Sequence, residues 1–405
     1  MSAGWTFSSQ MLFSMVRSDL REIFCMRDSG SGLEHKLSNL EPLSAVRRNY
    51  RVSWYRSPIE HSKLRKLMRP DDLHGWLQAG GHLGVAVITG GGVIYFFVQG
   101  MWLAMLLSLF AHGTVCSFFK GIAAHELGHG TVFKTKWLNR SFLRLYSLLG
   151  WHNFHEYAMS HTYHHRYTLH LQGDREVVLP QFSKSTPLYI LQLFTFNFSG
   201  GLFAAGCIPT IKGTIETAFG GYGTSILSKE WSQSLYTTHP EERPKAVRWA
   251  RLILLFHCTV LVISLVTQIW ALPLVLVFQQ FTANFLKHLV GFPMHCGLRS
   301  NVSDFRKCVR TILLDPVSEF LYWRMNWHLE HHMYAGVPCY NLKKLHSLLA
   351  PDMPQPRTLL GAWKEMKEIW ERQKIDPDYE FDTPVPVSYT HLRAHETDSY
   401  LVCRL

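Results

Sequence analysis

Long stretches without a single Asp, Glu, Lys or Arg confine what this chain can fold into. Leu77–Val98 is uncharged over 22 residues, and Met101–Phe119 follows with 19 more. A third run, Leu252–Leu286, is 35 residues long and is interrupted near Trp270–Pro273. About 20 apolar residues cover a hydrocarbon core of about 30 Å as a helix. The first pair and the divided third run therefore read as two helical hairpins in a bilayer, with spans at about 77–98, 101–119, 252–269 and 270–286. The average composition hides this: 47% hydrophobic and 18% charged residues would suit an ordinary soluble domain. Pro187–Ile211 is also uncharged but rich in Gly, Asn, Ser and Thr, which favours a segment lying in the interface over a fifth span.

Charge gives the orientation. Nine basic residues against Glu41 and Glu60 lie between Lys36 and Arg69, just before the first apolar run. Such a block fits the cytoplasmic flank of a membrane helix. With two hairpins, the N-terminal region, the long 120–251 connection and the C-terminal region share that side. The net charge of +11 is accompanied by no nucleic-acid-binding motif, so no nucleic acid partner is expected. The eight cysteines are scattered without a CxxC pair, which argues against a disulfide framework or a zinc ribbon. Residues 1–49 form an unassigned extension in which Arg17, Asp19 and Arg21 interrupt any signal-peptide core. Residues 50–386 form the membrane domain, in which 358–374 has the spacing of an amphipathic helix. The stretch 387–405 reads as a tail foreign to the fold, similar to vector read-through, and takes His391, His395 and Cys403 with it.

Histidine is the second constraint. Eight of 23 histidines fall between His125 and His170. Three clusters stand out: His125-Glu-Leu-Gly-His129, His161-Thr-Tyr-His164-His165 and His328-Leu-Glu-His331-His332. Residues i, i+3 and i+4 share a helix face, so each cluster can present its imidazoles together. The two-hairpin topology places all three clusters at one membrane surface. Eight imidazoles exceed the needs of one tetrahedral ion and suit a pair of first-row metals such as iron.

These three motifs and the hairpins between them resemble the membrane fatty acid desaturase/hydroxylase superfamily over about residues 50–350. The resemblance implies an all-α integral membrane protein with four transmembrane helices in two hairpins and a cytoplasmic helical cap. It implies a non-haem centre of two iron ions, with O2 as co-substrate and a long-chain acyl lipid as substrate. Carried over by position, His125, His129, His161, His164, His165, His328, His331 and His332 would be metal ligands. A ninth ligand is expected between the last span and the third cluster, where His295, in Met-His-Cys-Gly-Leu, matches best and His288, in Asn-Phe-Leu-Lys-His, is the competitor. Glu126, Glu156, Asp174 and Glu330 are candidates to hold the far nitrogens of ligating imidazoles. His152, His155 and His170 suit structural roles near the second cluster. His35, His61, His74, His82, His112, His239, His257 and His346 need no catalytic role.

The expected reaction is O2-dependent insertion of a double bond; a lipid or alkane hydroxylase would use the same centre. Electrons are expected from a separate carrier such as cytochrome b5 or ferredoxin, since no His-Pro-Gly-Gly signature of a fused cytochrome b5 domain occurs. The third cluster begins with His328 rather than the Gln common in front-end desaturases. A rival reading takes His125-Glu126-Leu127-Gly128-His129 as the HExxH of an intramembrane zinc metalloprotease. That leaves two histidine clusters without a purpose, and a non-enzymatic membrane binding protein leaves all three so. The expected location is a multi-pass membrane protein, in the endoplasmic reticulum if eukaryotic or the inner membrane if bacterial.

Overall fold

The computed structural model describes residues 40–201, 206–223 and 227–386, nearly all as helices and turns. The signal-peptide question and the foreign tail therefore lie outside the described residues. The chain divides into two compact units, Met1–Asn49 and Tyr50–Leu405. In the first, the described part is one short helix, α1 (Leu43–Asn49). The second unit begins with α2 (His61–Leu67) and carries the histidines.

Among the described residues, three helices are long and apolar enough to cross a membrane: α3 (Asp72–Val98), α4 (Trp102–Gly128) and a helix whose apolar reach spans Pro240–Thr267. At 1.5 Å per residue, the 27 residues of α3 give about 40 Å, more than a hydrocarbon core requires, and the part of α4 before its kink at Lys120 gives about 27 Å, close to that thickness. Val87, Ile88, Leu103, Leu107 and Val266 on these helices stay exposed, an arrangement that water would penalise and lipid would not. Polar groups inside α3 and α4 are satisfied across the helix pair. Trp323 Nε1 donates to His82 Nδ1 at 2.7 Å, leaving the Nε2–H of His82 for the Val115 carbonyl at 3.0 Å. His112 Nε2 meets the Val275 carbonyl, and Ser108 Oγ donates to the Thr89 carbonyl, both at 3.0 Å.

The four-span expectation needs one correction. Residues 270–286 do not form a continuous helix. α4 is followed by α5 (Lys136–Leu149), α6 (Phe154–Tyr167), α7 (Pro187–Phe194), α8 (Cys207–Ala218), α9 (Lys229–Thr238) and the apolar α10 (Arg243–Thr267). The chain then breaks into α11 (Ala271–Leu276), a 3₁₀ turn at Gln279–Phe281 and α12 (Phe285–Gly291). Thr282 is extended and Ala283 has a φ of 47°, so the helical ladder stops there. Unwound backbone needs partners inside a membrane protein. The Ala283 N–H donates to the Thr195 carbonyl at 2.8 Å, and the Asn197 N–H to the Phe281 carbonyl at 2.7 Å. Phe194 stacks on Phe285 at 4.6 Å. The uncharged run at 187–211 is divided: α7 and the turn after it supply the backbone partners of the break, α8 begins at Cys207, and residues 202–205 lie outside the described set.

The break also passes close to α4. A Cβ on Gly113 would lie 2.3 Å from the Thr282 carbonyl oxygen, so only glycine allows this approach. Gly113→Val is expected to cost about 1–3 kcal/mol through overpacking, read as lost thermal stability of the detergent-solubilised protein.

The remaining elements are short: α13 (Pro316–Leu321), α14 (His328–Met333), α15 (Leu342–Leu349) and α16 (Leu359–Gln373). α16 falls within the amphipathic stretch read from the sequence. Strands Ile312–Leu313 and Arg357–Thr358 pair in parallel. α16 ties α12 to the connection before α7: Trp363 Nε1 donates to the Leu289 carbonyl within α12 and Trp370 Nε1 to the Gln181 carbonyl, both at 2.9 Å. Phe292, Cys296 and Met366 are buried between them.

Candidate metal centre

α4 delivers the first histidine pair through a kink. Lys120 is extended (φ −81°, ψ 125°) and Gly121 takes a φ of 75°, which favours glycine. The last turn then presents His125 and His129 from a new direction. α6 carries His161, His164 and His165, and α14 carries His328, His331 and His332. The second cluster thus sits on a 14-residue helix.

Among the described residues, nine histidines gather into two groups. One holds His125, His129, His161, His165 and His331; the other holds His164, His295, His328 and His332, with one ring nitrogen of each within 4.8 Å of the rest of its group. All nine candidates from the sequence are brought together. The split follows helical geometry. Every i, i+4 pair shares a group: His125 with His129, His161 with His165, His328 with His332. The third member of each HxxHH, His164 or His331, goes to the other group. Neighbouring residues diverge by about 100° on a helix, so the adjacent imidazoles of a cluster separate instead of pointing one way. His165 spans the boundary, with ring centroids 4.9 Å from His331 and 4.6 Å from His332.

His295 and His288 part company. The His295 Nδ1–H donates to the Cys308 carbonyl at 3.0 Å, and Nε2 lies 3.0 Å from His328 Nε2. Buried Arg310 fixes this segment by donating to the carbonyls of Pro293 (2.7 Å) and Cys296 (2.5 Å), while Glu365 accepts from its Nε at 2.7 Å. His288 instead meets Ser183 Oγ at 3.1 Å, with Trp363 nearby.

Whether these groups suit cations follows from their tautomers. Asp174 Oδ2 accepts from His164 Nδ1 at 2.9 Å. The Thr168 hydroxyl donates to the His164 carbonyl (2.6 Å) and so accepts from His332 Nδ1 (3.1 Å). With the carbonyl on His295, three of the four rings in this group carry their proton on Nδ1 and turn bare Nε2 lone pairs inward. His328 Nε2 lies 3.0 Å from His295 Nε2 and 3.1 Å from His332 Nε2, and a single proton cannot satisfy both. In the other group, His331 Nε2 is 2.8 Å from His125 Nε2 and 3.2 Å from His165 Nε2. Glu176 Oε1 accepts from His161 Nδ1 at 3.1 Å, and the buried His161 Nε2 has no hydrogen-bond partner. Converging lone pairs and an unpartnered ring nitrogen make a donor set that could hold metal cations.

Electrostatics keeps the rings in the ligating form. Burial drives the imidazoles of His161, His165, His328, His331 and His332 well below their ordinary value, His295 to about 3 and His129 to about 4. Neutral imidazole is what binds a metal. His164 differs: burial opposes its charge, yet Asp174 raises its pKa.

A family model for fatty acid desaturases matches residues 100–362, well over half of the chain and all three clusters. The chain belongs to the fatty acid desaturase family. No curated protein matches it.

In this family member the partners of the rings are only partly those expected. Asp174 does hold His164. Glu126 lies 3.6 Å from His125 and 3.5 Å from His331, without a hydrogen bond to its Oε1. Glu330 is turned away from the two groups, accepting from Thr311 Oγ1 at 2.6 Å and meeting His346 Nδ1 at 2.5 Å. His346, expected to be bland, thus anchors α14 from behind. Glu156 accepts from Ser232 and Tyr236 rather than from a ligand candidate. Glu176, Tyr157, Thr168 and Arg310 are additions to the set expected from the sequence. The place of Glu176, two residues beyond Asp174, is a weak signal for it; the others carry none. His152 is buried against Tyr157, His155 lies 3.8 Å from Glu242, and His170 packs against Trp54, in keeping with structural roles. Cys116, Cys207, Cys258, Cys296, Cys308 and Cys339 are free thiols.

A cavity of about 350 Å³ opens beside the five-histidine group. His125, His129 and His161 form one wall, and Leu143, Phe154 and Met159 supply apolar surface.

Proposed function

We propose that the protein is a membrane-bound, O2-dependent desaturase that introduces a double bond into a long-chain acyl lipid at a histidine-ligated pair of irons. The observation that carries this reading is the division of nine imidazoles into two adjacent cation-fitting groups in a member of the desaturase family. The five-histidine group would hold one ion and the four-histidine group the other. Bound iron would supply the oxidising power to break an unactivated C–H bond, which side chains lack. The protein does the rest. Asp174, Glu176, Thr168 and the Cys308 carbonyl set the ring orientations, and Arg310 holds the His295 segment in place. The cavity beside His125, His129 and His161 is where a methylene of the acyl chain reaches the centre, and its apolar wall orients the chain and limits water.

α3, α4 and α10 are the crossings in this reading, with the broken α11–α12 segment making the fourth. The nine histidines then face the cytoplasm, where a separate carrier such as cytochrome b5 or ferredoxin delivers electrons. The hydroxylase outcome shares every one of these residues. The zinc protease reading is weakened by Glu126, which is buried between His125 and His331 rather than standing at an open cavity.

Two measurements test the proposal. Purified protein is expected to carry two irons per chain, and expression in a desaturase-deficient host is expected to add an unsaturated lipid to the total-lipid mass spectrum. A hydroxylated product would move the assignment to the hydroxylase; one zinc per chain and unchanged lipids would remove it.

A further inference from the structure

Three buried polar side chains and the half-buried Tyr157 face a small space that the ligand arrangement does not use. Lys120, His152, Glu156 and Tyr157 line a cavity of about 40 Å³. At about 10–15 Å³ per water on this measure, it has room for roughly three. The buried His152 Nε2 has no hydrogen-bond partner in the protein, so the cavity suits water rather than apolar filling.

The cavity has an outer and an inner connection. On the outer side, Glu156 Oε1 accepts from Tyr236 Oη at 3.4 Å and from Ser232 Oγ at 3.5 Å. Tyr236 also lines a broad groove of about 700 Å³ at the start of α10, together with Tyr222, Arg243 and Arg248. On the inner side, Tyr157 Oη is 3.0 Å from His125 Nδ1. Tyr157 belongs to the walls of both cavities, the small polar one and the larger one bounded by His125, His129 and His161. Polar groups therefore run from the groove to the histidine centre with Glu156 midway.

We propose that Glu156 and Tyr157 carry protons from the aqueous groove to the histidine centre. The inference rests on the O2-dependent reading above. In that reaction two C–H bonds break and one C=C bond forms. O2 is reduced to two waters by the two hydrogens of the chain, two electrons from the donor and two protons from solvent. Those two protons must cross protein. Glu156 gives its proton to the cavity waters and regains one through Tyr236. The His125 Nδ1–H donates to the Tyr157 hydroxyl oxygen; Tyr157 takes a proton from the small cavity on the remaining lone pair of that oxygen and releases its own into the larger cavity bounded by His125, His129 and His161, so it stays neutral. Burial pushes the Glu156 carboxyl up to about 7, which lets it both give and accept near neutrality; Tyr236, Ser232 and the Lys120 ammonium pull the other way. The groups facing it are Lys120 from the kink of α4, His152 and Tyr157 beside it, and Ser232 and Tyr236 from α9. Lys287 of α12 lies behind Lys120, donating to its carbonyl at 2.5 Å.

The test uses full-length protein with Glu156→Gln, Glu156→Asp and Tyr236→Phe, read in two ways. In metal-free protein, Glu156→Gln is expected to remove one carboxyl from the infrared titration near pH 7, while the share of Glu176, whose carboxyl burial also raises to about 7, remains. In iron-loaded protein in lipid vesicles, Glu156→Gln is expected to form product at least tenfold more slowly, with unchanged iron content and fewer products per O2 consumed. Glu156→Asp should restore part of the rate, and Tyr236→Phe should slow it and enlarge the slowing in D2O. A Glu156→Gln variant with the wild-type rate and pH profile overturns the relay, as does a carboxyl titration near pH 7 whose amplitude the substitution leaves undiminished. Iron-loaded wild type that makes no unsaturated lipid sinks the functional reading itself, and the relay with it.

Discussion

His331→Ala is expected to reduce product formation to background, at least about a thousandfold, and to lower the iron content from two ions per chain to about one. A thousandfold loss corresponds to about 4 kcal/mol of transition-state stabilisation. The size follows from where the ring sits. His331 Nε2 lies between His125 Nε2 at 2.8 Å and His165 Nε2 at 3.2 Å, so it is a shared vertex of the five-histidine group. Alanine leaves a hole among buried rings that no nearby side chain can fill. The neighbouring group should survive, because His332 points into it from the adjacent position and keeps its bond to Thr168. His288→Ala is the matched control: a buried histidine on the path to the third cluster whose loss should leave both irons in place. Metal analysis and lipid mass spectrometry on both variants, with membrane insertion checked, decide the matter. Full activity in His331→Ala would rule out its place at the centre.

Much of what places His331 at the centre is legible in the amino-acid sequence. The uncharged runs at 77–98 and 101–119 specify the α3–α4 hairpin because a membrane helix satisfies its own backbone and needs only length and apolarity. The histidine spacings carry over because a residue four positions along returns to the same face. The same arithmetic contains the division into two groups, since adjacent residues cannot share a face. The segment 270–286 departs from its sequence reading for a different reason. Hydropathy records how apolar a stretch is, and says nothing about whether its backbone bonds are closed within it or by another segment. Thr195 and Asn197, some 85 residues earlier, close them here. Glu176 and Arg310 escape a sequence reading on similar grounds: their work depends on which carbonyl or ring the fold places beside them. His295 is preferred over His288 already by its place in the sequence, and Cys308 and Arg310, which the fold brings to it, are what hold it there.

Asp174→Asn is expected to weaken metal binding in the four-histidine group by about 10–100-fold, with a parallel fall in product formation. Asp174 accepts three hydrogen bonds, each at 2.9 Å: from His164 Nδ1 and the Leu169 N–H on Oδ2, and from the Glu176 N–H on Oδ1. Asparagine has one accepting oxygen and an amide that only donates. Whichever way it turns, one side meets donors with a donor. If the amide faces His164, the ring must shift its proton to Nε2 and point an N–H where a lone pair is needed. If the oxygen faces His164, the Glu176 N–H is orphaned and the loop carrying the His161 partner loosens. Glu176→Gln should be milder, because the glutamine oxygen can still accept from His161 Nδ1 while its amide donates to Ser160 Oγ. The charge matters as well. Burial raises the Asp174 carboxyl, but the His164 beside it and the two backbone N–H groups hold it below its ordinary value. Its contribution to the stability of the metal-free protein is therefore present above about pH 3.9 and is lost as pH falls through the lower folded value. The metal-free Asp174→Asn variant should lack this acid-dependent loss. Iron titration at neutral pH and thermal unfolding across the acid range measure the two effects separately. Wild-type iron affinity in Asp174→Asn would show that His164 does not depend on this carboxylate.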